Sequence, residues 1–225
     1  MKAKQSSSYI ILFVIVILLI MAWVDLVLQA NYAINSAIKL ILFLLIPLCL
    51  LLINRQISFR VLFHFNKKQI LFSILLGLIV YIIILGVYYI IRRYIDFSNI
   101  VPLLESRVSV NKENFIFVSL YISFINSFLE EFFFRGIAFL TLKKYSSRIL
   151  AYLFSAGVFS VYHIAIMVGW FEPLFLILII IGLFGAGLMF NRLNEKNGSI
   201  YTSWIVHMCA NFAINTIGFI LFGII

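Results

Sequence analysis

The chain has 225 residues, 64% of them hydrophobic and 11% charged, against roughly 25% charged in an ordinary soluble domain. That excludes a soluble fold, whose interior could not hide so much apolar surface, and leaves room for one helical bundle in lipid. The +9 formal charge is divided among short basic clusters between apolar runs. This placement suits topology determinants facing anionic lipid, and nucleic acid is not expected as a partner.

Apolar runs long enough to cross a bilayer fall at about 9–28, 37–53, 70–91, 114–142, 149–168, 173–190 and 199–224. Each must be helical, because lipid offers no partner to an unpaired backbone amide. The fold expected is all-α: a polytopic transmembrane bundle of about seven spans. The first run follows Lys2 and Lys4 but is too long for a typical signal-peptide core, so it is taken as a retained span. The second is the shortest and contains Pro47, which predicts a kink or a re-entrant course. The stretch 54–69, with Arg55, Arg60, His64, Lys67 and Lys68 among apolar residues, reads as an interfacial amphipathic segment with His64 at the surface. Asp25 is placed near the outer interface. Cys49 and Cys209 lie in apolar runs as reduced packing residues, and Gly182, Gly185 and Gly187 permit close helix packing. Counting Lys and Arg in alternate loops places 11 on the N-terminal side and 5, including Lys39, on the other. The N-terminus is therefore expected in the cytoplasm.

Ionisable groups inside a span cost roughly 2.5–3.5 kcal/mol each even on a lenient insertion scale, and the fourth span carries Glu130, Glu131 and Arg135. Glu131 and Arg135 are spaced for one helix face, with the acid first, the favourable order for pairing. Glu130 is turned away by about 100°, has no local partner in the sequence, and stays available. Ser119, Ser123, Asn126 and Glu130 form a polar stripe that must face the bundle interior or a wet cavity. The fifth span holds Ser155, Phe159 and His163 at intervals of four, and the last holds Ser203, His207, Asn211 and Asn215. At about 1.5 Å per residue, Glu130 and His163 lie roughly 20 and 21 Å from the side bearing Lys143, and His207 and Asn211 about 12 and 18 Å. The four therefore share a similar depth.

Any one of these Ser, Asn and His residues could serve only as interhelical hydrogen-bond glue. Together they suit peptide-bond hydrolysis. Glu130 would be the general base on a water, shared with His163, and His207 with Asn211 would donate to the oxyanion. There is no GxSxG elbow and no HExxH motif. A Glu130–His163–His207 site for a divalent metal such as zinc is chemically allowed, but nothing in the spacing demands it.

Glu130-Glu131-xxx-Arg135, then Phe159-xxx-His163, then His207-xxx-Asn211, on successive spans, resembles the CPBP family (CAAX proteases and bacteriocin-processing enzymes, also called Abi). The resemblance covers about residues 114–215 and divides the chain into an N-terminal part, 1–113, without family motifs and a catalytic core, 114–225. It implies an intramembrane endopeptidase, often labelled a metalloprotease, with Glu130 and His163 activating water and His207 and Asn211 stabilising the oxyanion. Glu131, Arg135 and Phe159 would support the site. The expected substrate is a small membrane-associated peptide or protein, and the expected location a bacterial cytoplasmic membrane. The rival classes are a non-catalytic scaffold or bacteriocin-immunity protein that binds a peptide or sensor partner, and an ion- or proton-coupled transporter.

Overall fold

The computed structural model describes residues 2–54, 63, 64 and 66–225. Among these residues there are helices and turns but no strand, and seven helices are long and apolar enough to span a membrane. Helix α1 is Lys2–Trp23, continued as a wider π-type turn over Val24–Leu28. Helix α2 runs through Tyr32–Leu40, a π-turn at Ile41–Leu45, and Ile46–Asn54. Helix α3 is Lys67–Ile91, and a short α4, which hydrophobicity did not anticipate, is Ile100–Val108. Helix α5 begins at Phe115–Tyr121 and continues through several changes of pitch to Leu142–Lys144. Helices α6, α7 and α8 are Arg148–Met167, Pro173–Asn197 and Tyr201–Leu221.

Several boundaries differ from those expected, and two of them have a visible reason. Helix α2 starts at Tyr32, five residues before the apolar run, because Asn31 caps it and its side chain accepts a hydrogen bond from the Ile34 amide at 3.0 Å. Helix α7 outlasts its apolar run by seven residues and stops at Gly198, which has φ 64°. That polar extension is held by Glu195, whose carboxylate accepts from Lys143 at 3.0 Å, from Arg148 at 2.7 Å and from Tyr152 at 2.7 Å.

The second span is long enough to cross, which argues against a re-entrant course. Its π-turn at Ile41–Leu45 ends two residues before Pro47, whose missing amide removes one rung of the helical ladder. Most of the anticipated interfacial segment, including Arg55 and Arg60, lies outside the described residues. Within its described part His64 is exposed, as expected, and Asn66 caps α3.

The surface is largely apolar, with Leu12, Leu71, Ile82 and Leu174 each more than half exposed, as a lipid-facing bundle requires. The aromatic interior is built around Phe43 of α2, stacked on Phe133 of α5 with centroids 4.3 Å apart and close to Phe134 and Tyr162. Helices α6 and α7 approach closely at Gly187, while Gly182 and Gly185 have open space around them. A methyl added at Gly187 would lie 2.9 Å from Ala156 Cα. Gly187→Ala is therefore expected to cost about 1–3 kcal/mol of stability. A melting curve of the purified variant should fall by several degrees; an unchanged midpoint would mean that the two helices can part without loss.

Candidate active site

Helix α5 supplies the acidic centre and is irregular where it does so. Its i→i−4 ladder gives way to π geometry at Ile122–Asn126 and again at Glu131–Thr141, and such departures recur at functional sites. Side chains of α8 bind the carbonyls along the first of these stretches. Asn211 Nδ2 donates to Ile122 O at 3.1 Å, Trp204 Nε1 to Phe124 O at 3.2 Å, and Asn215 Nδ2 to Ser119 O and Ser123 Oγ at 3.0 Å. Along the second stretch Phe134 O accepts from Ser155 of α6 at 2.9 Å. These bonds set the height of α8 and α6 against α5, and with it the level of their histidines.

At that level Glu130 is nearly enclosed, at 2% exposure. Its two oxygens have different surroundings. Oε1 accepts from Lys39 Nζ at 2.6 Å and from Asn126 Nδ2 at 3.0 Å. Oε2 has no hydrogen-bond partner among the described residues, and it faces His207 Nε2 at 3.7 Å and His163 Nε2 at 3.9 Å. Both distances exceed a direct hydrogen bond and suit a bridging water.

Each histidine is held through its other ring nitrogen. His163 Nδ1 lies 2.7 Å from Phe159 O, and a carbonyl can only accept, so Nδ1 carries a proton. His207 Nδ1 lies 3.0 Å from Glu131 Oε1. In both rings Nε2 is the nitrogen turned toward Glu130. The His163 side chain is 17% exposed against 9% for His207 and 3% for Glu130, so access to the centre is from the His163 side.

Glu131 and Arg135 are fully buried and in contact, with Nε 3.4 Å from Oε2. The contact is not a hydrogen bond, and no nitrogen of Arg135 has a hydrogen-bond partner among the described residues. The guanidinium instead lies over the rings of Phe159 at 4.3 Å and Phe190 at 5.3 Å, where the ring faces attract a cation. Glu131 thus has a second role that helical spacing did not reveal, as the acceptor that orients His207. Phe159 likewise acts twice, through its carbonyl on His163 and its ring on Arg135.

Of the four residues expected to converge, Glu130, His163 and His207 meet. Asn211 follows one turn after His207 on α8, with one amide hydrogen engaged by Ile122. Glu130, expected to lack a local charged partner and to stay available, has its charged partner, Lys39, on another helix across the bundle. Read from sequence as a loop residue on the far side, Lys39 is 6% exposed and lies within α2. The early start at Asn31 puts it about 11 Å along that helix. The signal available was a lone lysine between Ile38 and Leu40, four residues after Asn35, whose amide donates to Asp25 at 2.9 Å.

The Lys39 ammonium beside Glu130 weighs against a resident divalent metal in this arrangement. Among the described residues no group of three or more His, Cys, Asp or Glu is set to hold one. A metal on Oε2 would also share its carboxylate with the Lys39 ammonium, cation against cation. A cleft of about 360 Å³ between α1, α2 and α5, lined by Tyr9, Pro47, Leu51, Ile137 and Thr141 among others, contains none of the site residues.

Removing Arg135 would leave the Glu131 carboxylate without its cation in a dry interior. Arg135→Ala is therefore expected to destabilise by on the order of 3–5 kcal/mol, read as a lower melting temperature in detergent. An unchanged midpoint would show that the contact contributes nothing.

Residues 112–213, just under half of the chain, match the family model described as "Type II CAAX prenyl endopeptidase Rce1-like". The matched segment contains Glu130, Glu131, Arg135, Phe159, His163, His207 and Asn211, is consistent with the CPBP resemblance, and supports a multi-pass membrane protease. Comparison with curated proteins and with solved structures returns no match.

Proposed function

From the membrane-endopeptidase family matched over residues 112–213 as premise, we propose that this protein hydrolyses a peptide bond within the membrane, with Glu130 as the general base. The observation that carries the reading is the asymmetry of Glu130. One oxygen is anchored by two donors, and the other faces two histidine nitrogens across a gap of one water.

In this mechanism Glu130 Oε2 and His163 Nε2 hold the water by its two hydrogens. The water oxygen attacks the scissile carbonyl carbon as Oε2 takes one proton. The negative charge that develops on the carbonyl oxygen is met by His207 Nε2–H and by the second amide hydrogen of Asn211. Because His207 Nδ1 already donates to Glu131, donation from Nε2 requires a doubly protonated ring, and the Glu131 carboxylate stabilises that charge. Collapse of the tetrahedral intermediate breaks the C–N bond, and the proton held by Glu130 passes to the leaving amine. The substrate is a small membrane-associated peptide or protein that enters past His163, and the membrane is a bacterial cytoplasmic membrane with the N-terminus inside. The mechanism uses side chains and water, with the Lys39 ammonium as the cation already beside the Glu130 carboxylate.

The test is peptide cleavage by purified protein in nanodiscs, using a peptide library read by mass spectrometry. Glu130→Gln and His163→Ala are expected to lower cleavage by at least about 10²-fold while remaining folded, and a chelator is expected to leave wild-type cleavage intact. Full activity in Glu130→Gln would instead favour a non-catalytic scaffold or immunity role, and loss of activity with chelator would restore the metal.

A further inference from the structure

Lys39 lies outside the matched segment, on a helix without family motifs, yet it makes the shortest polar contact to Glu130. Its ammonium is also 2.5 Å from Asn126 Oδ1, and it sits over the rings of Tyr162 at 4.8 Å and Phe43 at 5.3 Å. The Asn126 amide turns its oxygen to Lys39 and its nitrogen to Glu130. Lys39, Asn126 and Glu130 Oε1 thus close a ring of three contacts: Lys39 donates to Asn126 Oδ1 and to Glu130 Oε1, and Asn126 Nδ2 donates to the same Oε1. A buried ion pair that served only to join α2 to α5 could engage either carboxylate oxygen, or both. Here every donor is gathered on Oε1, and Oε2 is left toward the histidines.

We propose that Lys39 is the positioning residue of the site: with Asn126 it locks Glu130 by Oε1 and so assigns Oε2 the proton transfer. The proposal rests on the proposed function, in which Glu130 is the base. It also means that the N-terminal part of the chain completes the site rather than only enclosing it. A lysine suits this task because its ammonium is a compact point charge that can meet a carboxylate and an amide oxygen at one apex, which the planar fork of arginine cannot do in the same space.

The experiment compares wild type with Lys39→Met, Lys39→Arg and Glu130→Gln in nanodiscs, measuring kcat and KM on a library-derived peptide alongside the melting temperature. Lys39→Met is expected to lower kcat by about 10²-fold, the effect of a misplaced reacting group, with KM within about threefold. Should Lys39→Met fail to fold, Lys39→Arg keeps the charge pair; it is expected to fold and to lose about tenfold or more in kcat, again with little change in KM. Wild-type kcat in folded Lys39→Met, or in Lys39→Arg, would overturn the proposal, as would a change confined to KM or to melting temperature. Those outcomes are distinct from wild-type cleavage by Glu130→Gln, which would remove the proposed function itself and the role of Lys39 with it.

Discussion

A carboxylate enclosed in a lipid-facing bundle persists only where opposite charge or several donors meet it, since the effective penalty for burying an ion is several kcal/mol. Glu130 is met by both, from Lys39 of α2 and Asn126 of its own helix. The pair joins segments 91 residues apart, so the N-terminal spans cannot be regarded as mere lipid packing. Much of the rest follows from this constraint. Phe43, one turn beyond Lys39, stacks on Phe133, and Tyr162 covers the ammonium from α6. The aromatic interior thus shields an ion pair as well as filling space, and low polarity around the pair strengthens it.

The second organising feature is the uneven pitch of α5. A regular helix engages its carbonyls internally. Here Ser119, Ile122, Phe124 and Phe134 present carbonyls to Asn215, Asn211, Trp204 and Ser155. Interhelical hydrogen bonds of this kind are individually modest in membranes, but four of them fix the register of two helices against a third. Register is what the proposed water-activating centre needs, because a water bridging Glu130 Oε2 to a histidine must lie within hydrogen-bond distance of both atoms.

Sequence reasoning located the spans and the depth of the polar residues because both depend on simple periodicity and on the cost of charge in lipid. The convergence of Glu130, His163 and His207 followed from depth along three helices. Lys39 escaped because its helix begins at an asparagine cap rather than at the first apolar residue, so an interior lysine looked like a loop residue. The pairing of Glu131 with His207 escaped as well, since spacing along one helix finds Arg135 but carries nothing about the helix across the bundle. The extension of α7 depended on a charge cluster around Glu195 contributed by three helices. These are all contacts between elements, which local pattern does not encode.

In the proposed mechanism Glu130 presents one anchored and one working oxygen, the latter sharing a water with His163. An experimental map of the lipid-embedded protein, at a resolution that resolves ordered solvent, tests it most directly. A water is expected within about 3 Å of both Glu130 Oε2 and His163 Nε2, with Lys39 on Oε1. A Lys39 ammonium bridging both carboxylate oxygens, or a His163 ring turned away to lipid with no solvent beside Oε2, would contradict it.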